Sequence, residues 1–200
     1  MKKPDVGVIF DNRIPKDFFK EFEEETRTKN FSLILNPREP TGPMACLEWF
    51  MVPIIGAFIA KSYFDGFLKE MGKDHYQILK QNLSQLTTKA MNTPRIEPTL
   101  LGTDGKLSTN NPFSLAFSIL GESGEGFIFK LLIPKATKEI DYGLIASSFM
   151  DFLSDYHLGL QSLTSIGFPT ETDQLLPHTV FVHYDFDTHS IRWLNEQDYR

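Results

Sequence analysis

The sequence predicts an α+β fold: a mixed, mostly antiparallel sheet of about six strands, with three to four helices packed against it. Three observations carry this expectation. Short apolar runs of strand type recur along the chain, amphipathic stretches at helical spacing lie between them, and 18 phenylalanines in 200 residues favour a core of sheet backed by helices. At this length folding buries about 70% of the surface exposed by the unfolded chain, so no metal or disulfide is needed as a staple. Residues 1–200 read as one α+β domain.

The first strand is Val6 to Phe10, a short apolar run ended by the turn-forming pair Asp11-Asn12. Pro15 then stands where the first turn of a helix accepts proline, and Phe18, Phe19 and Phe22 share one face of that helix. Phe31 to Leu35 reads as a second strand, stopped by the breaker-rich "NPREPTGP". After Pro53 the apolar positions Ala60, Tyr63, Phe64, Phe67, Leu68 and Met71 repeat at helical spacing, which predicts a helix buried against the sheet. Lys61, Asp65 and Lys69 follow at four-residue steps on another face. Gly72 looks like a stop and Asp74 like the cap of a further helix, whose stripe is Tyr76, Leu79, Leu83 and Leu86.

Residues 92–112 turn to Pro, Gly, Thr and Asn, the composition of a long flexible loop or insertion. Phe113, Leu115, Phe117 and Ile119 then alternate with Ser114, Ala116 and Ser118, the pattern of a strand with one buried face. "GESGEG" is a turn, and "FIFKLLIP" should return antiparallel beside that strand. Asp141 can cap a helix with the stripe Ile145, Phe149, Phe152, Leu153 and Tyr156. "TVFVHYD" and "SIRWL" should close the chain as a hairpin around "FDTHS".

Composition narrows the function classes. A net charge of −6, with basic residues scattered singly, argues against nucleic acid as a partner. Cys46 is the only cysteine, so no internal disulfide forms and a reducing cytoplasm is the expected location. The uncharged run Trp49 to Ala60 is 12 residues long, against about 20 needed to span a bilayer. Extending it to Met71 would bury Lys61, Asp65 and Lys69, each at on the order of 3 kcal/mol. No constitutive membrane span is expected.

Two constellations could carry chemistry. "VHYDFDTHS" places His183, Asp185, Asp187 and His189 at two-residue steps, so a continuous strand would project all four from one face as an acid–base or transition-metal cluster. A hairpin turn at Asp187, Thr188 and Ser190 would destroy that alignment. Lys61, Tyr63, Asp65, Lys69, Asp74, His75 and Tyr76 form the densest polar and aromatic region, and they are the first candidates for a binding site. "GESGEG" lacks the lysine and Ser/Thr of a phosphate loop and lies between strands, so it is rejected as one.

No nucleophile–base set, metal quartet or nucleotide loop is legible, and no cofactor is implied. The expectation is a non-enzymatic cytoplasmic domain that binds another protein or itself. Two alternatives stand beside it. One is a hydrolase built from His75 or His183 with Asp11, Asp74 or Asp185; the other is a latent membrane effector using residues 49–71.

Overall fold

A seven-stranded mixed sheet runs through the protein, seen in a computed structural model that describes residues 4–27, 32–40, 53–69, 73–93, 111–135, 139–169 and 178–195. Its strands are β1 Val6–Asp11, β2 Leu33–Arg38, β3 Ile55–Ile59, β4 Phe113–Glu122, β5 Ile128–Pro134, β6 Thr179–Asp185 and β7 Ser190–Trp193, in the order β2-β1-β3-β4-β5-β6-β7. Among the described residues four α-helices accompany it: α1 Lys20–Arg27, α2 Lys61–Lys69, α3 Lys73–Asn92 and α4 Tyr142–His157. The α+β class is as expected, with one more strand. Cys46, Trp49, Met71, Gly72 and most of the 92–112 stretch lie outside the described residues.

The additional strand corrects the reading of the apolar centre. Ile55–Ile59 is a strand rather than part of a helix, paired antiparallel with β1 and parallel with β4. A strand buried on both sides reads as an unbroken apolar run, which periodicity cannot tell from a buried helix. Ile55 and Ile59 are fully buried, at about 1.5–3 kcal/mol each, which outweighs the roughly 0.5–1 kcal/mol that Gly56 costs a strand. Helical periodicity takes over only at Lys61, with Ala60 alone between it and the end of the strand at Ile59.

Three other expectations shift for physical reasons. β2 continues through Asn36-Pro37-Arg38, because it is an edge strand, where a proline removes no ladder bond that the sheet needs. The register of β4 against β5 slips between Phe113 and Ser118, and Ser114 Oγ accepts the Ala116 amide within the irregular segment. This bulge breaks the simple alternation: Phe117 and Ile119 join the main core, while Phe113 joins Leu132, Phe181 and Leu194 in a small cluster on the opposite face. Asp74 lies inside the first turn of α3, where its charge suits the amino end of the helix, rather than at the cap. Asp141 does cap α4, accepting the Leu144 amide at 2.9 Å.

Pairing alternates across the sheet, so parallel and antiparallel junctions are equal in number. Each parallel pair is joined by a helical crossover, through α1, through α2 and α3, and through α4. α3 and α4 pack against each other antiparallel: Lys80 meets Asp151, Ser84 Oγ lies 2.8 Å from Ser147 Oγ, and Gly143 faces Thr88. They therefore share one face of the sheet. β3 and β4 run opposite to β5 and β6, yet both crossovers step the same way along the sheet. The two must then be wound with opposite hands, so at least one departs from the right-handed rule that holds in about 98% of such units.

The main core fills the space between sheet and helices. On β4, Gly121 faces the fully buried Leu153 of α4; a Cβ built there would sit 2.6 Å from both terminal carbons of that leucine. Gly121→Ala should therefore destabilise the fold by about 1–3 kcal/mol, read as a lower urea midpoint with an unchanged slope.

Candidate functional site

Strand direction brings the end of β4, the start of α2, the start of α3 and the end of α4 to one end of the sheet. Lys61, Tyr63, Asp65, Asp74, His75 and Tyr76 lie at this end; the side chain of Lys69 lies outside the described residues. Three residues that did not stand out in the sequence organise them: Glu122, Asp151 and His157.

α2 has no acidic residue in its first turn and begins with a lysine, an unfavourable start beside the positive end of a helix dipole. The missing cap comes from the sheet. Glu122 Oε2 accepts the Lys61 amide at 2.9 Å. The Lys61 ammonium turns away to Asp65, 2.6 Å from both carboxylate oxygens. Its aliphatic arm covers Gly124 in the β4–β5 turn, where φ is +86° and a side chain would collide with it.

His157 closes the same corner. Its Nε2 lies 2.9 Å from the backbone carbonyl of Glu122, which can only accept, so Nε2 carries the proton and donates. The ring stacks on Phe64 with centroids 4.3 Å apart and planes at 18°. Burial pushes the imidazole below its ordinary 6.5, partly offset by the hydrogen bond to the Glu122 carbonyl.

A second group links α3 to α4. Tyr76 Oη donates to Asp151 Oδ1 at 2.7 Å, and Lys80 Nζ donates to both oxygens of the same carboxylate. Burial and the adjacent Asp151 push the Tyr76 phenol far up. Burial does the same to Tyr63, and burial with Glu125 nearby does so to Tyr156. Asp74 is exposed and His75 half-buried on α3.

The other candidates sit on the far face of the sheet. β6 and β7 form the hairpin, and the turn engages Asp185, which accepts the Asp187 amide at 2.9 Å and the Thr188 hydroxyl at 2.8 Å. His189 adopts a left-handed φ of 51° within that turn, so the four residues do not continue as one strand. His183 lies on β6 opposite Arg192, and burial lowers its pKa. Asp11, at the end of β1, is buried. It is bound by the amide, Nε and Nη2 of Arg13, the last at 2.6 Å, and these hold its carboxyl below the ordinary 3.8. Four inter-strand steps separate Asp11 from Asp185, roughly 19 Å. His75 and Asp74 lie in the helix layer at the other end, apart from Asp11 and Asp185, while His183 and Asp185 stay neighbours on β6.

Among the described residues, no helix or strand covers the β2–β1–β3 half of the far face. Ile34 of β2 pairs with Gly7 of β1, Gly7 pairs with Phe58 of β3, and Phe58 pairs with Leu120 of β4. Ile9 lies on the diagonal beside Ile34. Ile9 and Ile34 are 39% and 45% exposed, and Phe58 and Leu120 are half-buried. No family model matches the chain, and the curated proteins and solved structures contain no match to it. No helix among the described residues is long and apolar enough to cross a membrane.

Glu122→Ala should cost about 1 kcal/mol in thermal denaturation, whereas Glu122→Gln, which keeps an accepting oxygen, should cost less. Asp11→Asn tests the buried carboxylate. Its lowered pKa gives stability that is fully present above 3.8 and is lost as pH falls through the folded value. The variant should therefore be less stable at pH 7, with the difference shrinking as pH falls below 3.8.

Proposed function

We propose that this protein acts by binding another protein, or a second copy of itself, through the uncovered half of its sheet. The supporting observation is the contiguous apolar patch of Ile9, Ile34, Phe58 and Leu120, set around Gly7 and Gly56 and bordered by Asn36 and Ser118. Scattered exposed aliphatic residues are ordinary, but neighbouring ones across four strands are the usual mark of a contact surface. The other half of the same face is closed over Phe113, Leu132, Phe181 and Leu194, so the exposure is local.

The state of the polar groups supports the same reading over an enzyme. Asp11, Asp65, Glu122, Asp151 and Asp185 each hold a partner within the protein, and the buried phenols are kept protonated. A catalytic nucleophile or base needs the opposite treatment, a pKa brought towards the working pH. The position of β3 weighs against insertion of residues 49–71 into a bilayer, since that would require stripping a strand hydrogen-bonded on both edges from the middle of the sheet.

An Ile9→Lys, Ile34→Glu double variant tests the proposal. Both positions are exposed, so the melting temperature should barely change. Self-association in light scattering, or capture of a partner from the native host, should be seen for the native protein and lost in the variant. A native protein that is strictly monomeric and retains no partner would remove the idea.

A further inference from the structure

α2 meets the end of β4 through two contacts that share one residue. Glu122 receives the Lys61 amide on its carboxylate and the His157 imidazole on its backbone carbonyl. His157 also lies flat on Phe64, the fourth residue of α2. One ring, at the last position of α4, thus touches both elements that form the corner.

The charged and titratable groups around it come from each of these elements. α2 presents Lys61 and Asp65, β4 and its turn present Glu122 and Glu125, and α4 itself carries Asp155 and Tyr156. Lys61 opposes a second positive charge here, while Asp65, Glu122 and the carboxyl end of α4 favour one. Burial between Phe64 and the Glu122 carbonyl opposes the charge more strongly than these favour it.

We propose that His157 is a pH-operated latch that holds the start of α2 against the end of β4. The neutral ring satisfies its one N–H on Glu122 and places its carbon face on Phe64. The imidazolium gains a second N–H and a charge, both of which call for water. Turning outward to meet water breaks the stack and the carbonyl bond together, and Glu122, still paired with Ile128 in the ladder, then loses its tie to α4 beneath the α2 cap. Because the folded state disfavours the proton, the latch is fully closed above the ordinary 6.5 and weakens as pH falls from there through the lower folded value. The device sets the placement of Lys61, Tyr63 and Asp65, and it is independent of the sheet-face binding proposal.

The test is a titration by NMR, with the His157 ring and the Lys61 amide followed in the same samples. His157 should titrate below 6.5, and the exchange protection of the Lys61 amide should fall about tenfold between pH 7.5 and pH 5.5, while the β1–β3 ladder keeps its protection. His157→Gln, which retains a side-chain N–H for Glu122 but cannot titrate in this range, should flatten the Lys61 response. An ordinary or raised His157 titration, constant Lys61 protection, or an equal loss in His157→Gln would each overturn the latch. Should that variant fail to fold, a mismatch between the His157 and Lys61 midpoints in the native protein overturns it.

Discussion

The arrangement depends on a five-residue strand with no polar side chain. Ile55–Ile59 is hydrogen-bonded to β1 on one edge and to β4 on the other, and it joins two halves of the sheet that are otherwise built from separate crossover units. The β1–α1–β2 unit lies on one side and the β4–β5 and β6–β7 hairpins on the other. Remove that bridge and the sheet divides, with Val8 and Phe10 on one fragment losing their cover beside Phe117 and Ile119 on the other. A charge at Ala57 or Ile59 would meet both neighbours at once in a fully buried setting, where it would be costly.

Much of this was legible in the order of residues, and the exceptions share a cause. α3 and α4 could be read because each has one buried stripe and one wet face, so Leu79, Leu83, Phe149 and Leu153 repeat with the helix. β6 and β7 could be read from turn chemistry. β3 could not, because periodicity needs a polar face for contrast and this strand has none. The bulge in β4 was hidden for the opposite reason: a regular alternation was present, and a register slip of three residues, an odd number, moved Phe113 to the other face without changing the pattern.

The candidate site divides along similar lines. The crowding of Lys61, Tyr63, Asp65 and Tyr76 was visible, since neighbours along a helix are neighbours in space. The organising residues Glu122, Asp151 and His157 were not, because each reaches its partner only after elements distant in the chain have packed. His157 in particular gives no local signal; it looks like any polar residue at the end of a helix. Three charges in these regions are matched by opposite ones: Lys61 with Asp65, Lys80 with Asp151 and Arg13 with Asp11.

The cap that β4 lends to α2 has a bearing on how the chain is made. Donor and acceptor stand 61 positions apart, and the recipient is a nine-residue helix, too short to persist in water by itself. A ribosome adding about 5–20 residues per second exposes the Lys61 amide for several seconds before Glu122 has even been synthesised. Through that interval β3 lacks one of its two edges as well. The nascent protein therefore carries an entirely apolar strand with one edge unpaired until β4 has been made.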